Sequence, residues 1–295
     1  MKQYKKLVSP YCFWLFVLTI VPMMLIAFYA LTAKGTEITT FKFTFDNFFK
    51  FLDPIFVSVL MRSLILGILT TAVCFLIGYP IAYMISKCKE GTQTVLILLI
   101  TIPTWINLLM RTYAWMSILS NNGIINNVLE SIGLGPVQMM YTDFAVVMGM
   151  VYNFLPFMIL PIHTSLTNMD KSLTEASMDL GASRIQTFFK VTFRLSLSGV
   201  LTGVTMVFTS YKCFVIPKML GGGQYSLIGN FIEQQFITVG NWHFGSAVSL
   251  VLVVIVIILM ALIYKVEKRT NVSDEKDEGG KRSGKRKKIR KNFMH

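Results

Sequence analysis

The chain is 295 residues long; 54% of it is apolar (Ala, Val, Ile, Leu, Met, Phe, Trp, Tyr, Cys) and only 15% is charged, against roughly 25% charged in ordinary globular chains. One core of this size cannot hide that much apolar surface from water, and a mean hydropathy of +0.59 makes lipid the solvent that completes it. This excludes disorder, coiled coil and collagen and argues against a soluble enzyme; the formal charge of +13 is not a nucleic-acid footprint either, because 12 of the 28 Lys and Arg residues lie from Lys265 onward, in a terminus rather than on a folded face.

In chain order, residues 1–10 form a basic N-terminal segment with Lys2, Lys5 and Lys6. The apolar run 11–31 is too long for a secretory signal and lacks a small-residue cleavage site, so it reads as an uncleaved first helix. Since a spanning helix needs about 20 largely apolar residues, five further windows qualify: 57–85, 94–119, 144–163, 199–216 and 246–264. The predicted fold is an all-α membrane protein with six transmembrane helices over 11–264 and a basic, disordered tail over 265–295. Pro22, Pro80, Pro103, Pro156 and Pro161 interrupt the spans, which favours a packed bundle where neighbours satisfy the freed carbonyls. Gly67 and Gly78, and the pair Gly199 and Gly203, suit close helix contact. Cys12, Cys74, Cys88 and Cys213 lie in or beside apolar segments without metal-ligand spacing and read as small apolar thiols.

Orientation follows from where Lys and Arg fall. With both termini cytoplasmic, 21 of the 28 are inside, against Lys34, Lys42, Lys50 and Lys218 outside. Arg62, Arg111 and Lys212 lie within or at the edges of spans.

The connection between the fourth and fifth spans, about 164–197, is too regular for a linker. Ser172 and Glu175 match a capping box, and Leu173, Ala176, Ser177 and Leu180 recur at helical spacing. Gly181 sits where a helix-ending glycine would. Ser183 and Gln186 then open a second helix carrying Ile185, Phe188, Phe189 and Val191. A helix–Gly–helix element with one apolar side docks into a groove of another protein or packs on its own bundle.

Glu175-Ala176-Ser177, Gly181 six residues after the Glu, and Val191 ten further on resemble the EAA loop of bacterial ABC importer permeases; Ser177 stands where the family has Ala, and Arg194 where it has a later proline. The stretches GYPIAYMISK from Gly78, PTWINLLMRTYAW from Pro103, VYNFLPFMILPIHTSL from Val151, DLGASRIQTF from Asp179 and LIGNFIEQQF from Leu227 are similar to B-type permease subunits of spermidine/putrescine importers. The resemblance implies an ABC type I importer permease bundle in a bacterial cytoplasmic membrane, working by alternating access. Its implied partners are a C-type permease subunit, two cytoplasmic ATPase subunits that hold ATP and Mg, and an extracytoplasmic polyamine-binding protein. This chain would itself bind no cofactor and hydrolyse nothing, and it lacks the phosphate-binding G-x-x-x-x-G-K-[ST] pattern. Glu175, Ala176, Ser177, Gly181 and Ala182 are the implied ATPase-coupling residues.

A polycation wants carboxylates and aromatic faces along its route. The spans offer Trp105, Tyr113, Tyr152 and Tyr211, with Asn107, Arg111 and Asn153 as polar candidates, but the nearest acids, Asp53, Asp143 and Glu233, sit at the outer edge. Without the family, Arg111 and the missing acids would suit an anion, and a related importer for another solute is the alternative. A secondary transporter would want intramembrane carboxylates, and an intramembrane enzyme finds no G-x-S-x-G or H-E-x-x-H. Trp115 and Trp242 read as interfacial belt residues, and His163 and His243 as structural. The stretch from Gly221 to His243 is the candidate surface for the binding protein, with Glu233 exposed to it. Eight Lys and Arg in 281–291, without an acid, would attract anionic lipid; nucleic acid is not expected as a partner.

Overall fold

The computed structural model describes residues 2–33, 42–49, 53–209, 215–222 and 227–265. Tyr211, Lys212, Cys213, Gly223 and the basic stretch 281–291 lie outside them.

Helix α1 (Lys2–Ala30) is followed by a two-residue antiparallel pair, β1 (Thr32–Ala33) on β2 (Lys42–Phe43), and a single helical turn, α2 (Asp46–Phe49). Asn47 Nδ2 donates to the carbonyls of Ala30 (3.2 Å) and Thr32 (3.1 Å), so this small cap closes on the end of α1. The bundle proper is α3 (Pro54–Ser86), α4 (Glu90–Trp105), α5 (Leu108–Leu119), α6 (Ile124–Ser131) and α7 (Asp143–Thr167), then α8 (Lys171–Asp179), α9 (Arg184–Leu195), α10 (Leu197–Phe208), α11 (Val215–Leu220), α12 (Ile228–Glu233) and α13 (Trp242–Lys265).

Among the described residues, four helical segments are long and apolar enough to cross a membrane: Phe13–Ala30, Pro54–Ser86, Asp143–Thr167 and Trp242–Lys265, or up to six spans if each of two bent pairs counts as one. The window 94–119 is not a single helix. It breaks at Ile106 and Asn107 and turns through 92°. Pro103 has no N–H for the turn before it, and Asn107 starts α5 by accepting the Leu109 N–H at 2.8 Å, a local bond that competes with continuing α4. Of the window 199–216, α10 covers the part up to Phe208 and residues 210–214 lie outside the described residues; just before the window, α9 and α10 meet at Ser196 with a 61° bend. By contrast α3 runs through Pro80, and α7 through Pro156 and Pro161, with helix maintained.

The centre is α3, α7 and α10. Lipid removes most of the hydrophobic drive between helices, so association rests on close packing. A Cβ on Gly199 would sit 2.5 Å from the Pro161 oxygen and 2.6 Å from Ser165 Cβ, so only glycine admits this approach of α10 to α7. Gly203 meets Met158 in the same way, 2.8 Å from its sulfur. Around this contact Cys74, Tyr79 and Ala82 of α3 pack with Met158, Ile159 and Ile162 of α7 and Val200 of α10. A second cluster joins Leu66, Leu119, Met150, Ile216 and Leu220, and a third joins Phe56, Ile228, Val248 and Leu252. The buried Ser63 hydroxyl accepts the Ile228 N–H at 2.8 Å and ties α12 to α3.

Candidate functional site

Asp170, not Ser172, is the N-cap of α8: its carboxylate accepts the Ser172 N–H at 2.9 Å. The helix therefore starts before the Ser172 and Glu175 box could form, because an earlier acid already satisfies the first free donors. The same hydrogen bond holds the Asp170 carboxyl below its ordinary pKa.

The end of α8 is closed at Gly181. Ala182 N–H donates to the Ser177 carbonyl at 3.2 Å and Gly181 N–H to that of Met178 at 2.9 Å, the paired bonds of a Schellman cap. Gly181 has φ +84°, and a Cβ at this position would meet nothing within 4 Å, so conformation rather than space demands glycine.

Ser183 and Gln186 do form a reciprocal capping box, with bonds of 3.3 and 3.1 Å. The predicted apolar side then divides between two tasks. Phe188 turns inward and meets Tyr83 and Tyr79 of α3 edge-on at 5.1 and 5.8 Å, and Ser177 lies 3.2 Å from the buried Thr187 hydroxyl. Leu180, Ile185 and Phe189 remain outside, at 90%, 71% and 63% exposure. Glu175 and Ala176 are exposed and Ala182 is half-buried.

Beyond Phe188 the helix widens into a π turn, Phe188–Thr192, and reaches the bend at Ser196. The Ser196 hydroxyl donates to the Phe193 carbonyl at 3.0 Å, so Tyr79, 2.9 Å away and buried, donates to Ser196. Tyr79, Thr187 and Ser196 anchor this element to the bundle, and the helix-cap and loop motifs do not single them out; the Tyr79 and Tyr83 spacing, four apart on one helix face, is the signal that marks the anchor.

The candidate path residues do not converge on one lining. Trp105 ends α4 with 77% of its surface exposed, and Asn107 spends its side-chain oxygen on the α5 cap. Arg111 and Trp115 share a face of α5, and Trp115, half-buried, meets Tyr152 edge-on at 5.2 Å and packs on the bundle. Tyr113, two residues from Arg111, points away from that face and is exposed. Arg111 Nε and Nη1 and Asn153 Oδ1 are buried without hydrogen-bond partners among the described residues, while Asn153 Nδ2 donates to Gly149 at 2.7 Å.

Two other charges are neutralised within the chain. Arg62 pairs with Asp143 at 3.0 Å, and Lys218 with Glu233 at 3.3 Å. Glu233 is half-buried rather than exposed, and its carboxylate is drawn to Lys218, a pairing that the intervening sequence hides. His163 hydrogen-bonds Gln93 and Thr167, and His243 bonds the Tyr29 carbonyl and Thr32. Trp242 packs against Phe236 and Tyr29. Cys74 is buried and Cys88 half-buried, both as free thiols. Among the described residues no cluster of three His, Cys, Asp or Glu side chains is placed to hold a metal.

No family model matches the chain. It is 34% identical over 270 residues to the spermidine/putrescine transport system permease protein PotB of Salmonella typhimurium, covering 90% of this chain and 94% of that protein. It is 35% identical over 262 residues to the PotB protein of Haemophilus influenzae, covering 88% and 92%. A bacterial alginate ABC transporter, solved with its alginate-bound periplasmic protein, has a chain that superposes with a TM-score of 0.76 at 15% identity, covering 90% of this chain and 94% of its own, which is a likeness of fold.

Proposed function

The chain belongs to the PotB family of ABC transporter permeases, and from that premise we propose that it is the membrane-spanning subunit through which an ATP-driven importer moves spermidine or putrescine. It catalyses no reaction itself; a separate ATPase subunit hydrolyses ATP, with Mg, and an extracytoplasmic binding protein delivers the solute. A C-type permease completes the bundle beside two ATPase copies. Each bent pair counts as one span, giving six with both termini on the cytoplasmic side of a bacterial cell membrane, which is where the Lys and Arg bias puts them.

The observation that carries this reading is the divided helix–Gly–helix element. Leu180, Ile185 and Phe189 face outward, where a groove on an ATPase would receive them, while Phe188 is rooted against Tyr79 and Tyr83 of a long span. Closure of the ATPases pulls on α8 and α9, and the bend at Ser196 passes that displacement to α10. Binding energy differing between two arrangements of the bundle then drives alternating access.

The test is ATP hydrolysis by the reconstituted complex with its binding protein, with and without spermidine, in the wild type and in Glu175→Ala. Stimulation that is lost in the variant supports importer and coupling roles together. Stimulation by an anion instead of spermidine would favour the one competing reading, motivated by the unpartnered Arg111 nitrogens.

A further inference from the structure

The outer-edge acids and scattered aromatics leave open where a polycation meets this subunit, and two adjoining cavities supply an answer. The first, about 560 Å³, lies between α7 and α10 and is floored by α8; its polar lining is Thr164, Ser165, Asn168, Asp170, Ser198 and Thr202. The second, about 650 Å³, shares Thr202 and continues along α10 past Thr205 and Thr209, facing Phe154, Phe157 and Tyr264. Asp170 is the one charged residue lining either cavity among the described residues.

The lining is mainly apolar, and its threonine hydroxyls are placed to act as acceptors. A hydroxyl has one hydrogen and two lone pairs. For four of the lining hydroxyls the hydrogen is already used: Thr202 donates to the Ser198 carbonyl (2.9 Å), Thr205 to that of Leu201 (2.8 Å), Thr209 to that of Thr205 (2.6 Å) and Thr164 to that of Leu160 (2.9 Å). What each can still offer is a lone pair. Pro161 adds to this, having no N–H for the Phe157 carbonyl. Ser198, Thr202, Thr205 and Thr209 follow three- and four-residue steps, hence about 5–6 Å apart on one helix face. That matches nitrogens separated by three or four methylenes. Phe154, Phe157 and Tyr264 offer ring faces for the ammonium groups and apolar surface for the methylenes between them.

We propose that the two cavities form a track for alkyl polyammonium ions within this subunit, ending at Asp170; the proposal rests on the polyamine reading above and names the surface that would serve it. Because Asp170 and Leu173 belong to the first turn of α8 and its cap, movement of the coupling element reshapes the track's floor. Uptake and release are then linked at one carboxylate. Weak acceptors along the route and a single acid at its end suit passage rather than retention.

The experiment places a thiol in the track by Thr202→Cys in the complete complex, reconstituted in vesicles, and follows its labelling by a small cationic methanethiosulfonate, with the unsubstituted complex as the background. Spermidine should slow labelling at the introduced position. Adding Asp170→Asn, which keeps an N-cap acceptor, should raise the spermidine concentration needed for protection by up to about fivefold, the upper end for one solvent-exposed charge pair. Labelling indifferent to spermidine, in a complex whose ATP hydrolysis still responds to it, overturns the track and leaves the polyamine reading standing. A thiol that the reagent never reaches means lipid or the second permease subunit fills the groove, and overturns it too. If no polyamine stimulates the unsubstituted complex, both fall.

Discussion

At Gly181 the backbone turns through φ +84° with open space around it, so a side chain there is resisted by conformation alone. A non-glycine residue in this region costs roughly 1–2 kcal/mol, enough to open the Schellman bonds from Ala182 and Gly181 and release the angle between α8 and α9. Gly181→Leu is expected to insert and assemble normally but to lose spermidine uptake, measured in vesicles; Gly181→Asn, which tolerates the left-handed region, should keep a large part of it. Normal uptake in the leucine variant would remove the loop from the coupling role. Asp170 adds a pH signature at the other end of α8. Its carboxyl is held below the usual value by the Ser172 N–H, so the cap's contribution is complete above the ordinary carboxylate pKa and is lost as pH falls through the lowered one. Amide exchange at Ser172, corrected for its intrinsic pH dependence, should stay protected through mildly acid conditions and rise only in stronger acid.

Elements meet at Ser196, where α9 bends by 61° into α10 and the Tyr79 hydroxyl reaches across from α3. This bond and the edge-on packing of Phe188 fix the hinge from one side. Tyr79→Phe removes one buried hydrogen bond, worth about 1 kcal/mol, while Ser196 keeps its bond to Phe193. The expected result is a folded complex with weaker spermidine stimulation of hydrolysis and unchanged basal hydrolysis; unchanged stimulation would show that the hinge carries no coupling. Gly199→Val is different in kind: its methyls would enter the space of Pro161 and Ser165, and overpacking of about 1–3 kcal/mol should lower the thermal midpoint of the purified complex. The Gly199 contact is legible in sequence because small residues four apart suit close helix approach, and the long spans are legible because hydropathy accumulates over 20 residues. The breaks at Asn107 and Ser196 are not, since an average over a window is blind to a bend when both halves are apolar. The cap of α8 is ambiguous in sequence because Asp170 and Ser172 both begin plausible helices, and only the observed Asp170 bond decides between them. Lys218 and Glu233 stand 15 apart in sequence, and only the fold brings them together.

For the molecule as a whole, the distribution of charge matters more than its sum. Arg62 is answered by Asp143 and Lys218 by Glu233, which leaves the sequence's strongest unbalanced charge in 281–291, eight Lys and Arg without an acid. The helix contacts that hold Gly199 to Pro161 and Phe188 to Tyr83 are made by other residues. What such a stretch adds is electrostatic, on the order of 1 kcal/mol for each basic residue near an anionic surface, and is screened within a Debye length. Deleting 281–291 should therefore leave spermidine-stimulated hydrolysis and uptake unchanged in neutral vesicles. In vesicles with anionic lipid, the full chain should recruit such lipid around itself at low salt and lose that enrichment as salt rises, whereas the shortened chain should show neither. A shortened chain that inserts normally yet fails to transport in neutral lipid would instead make the tail part of the coupling machinery, since no lipid charge remains there to explain the loss.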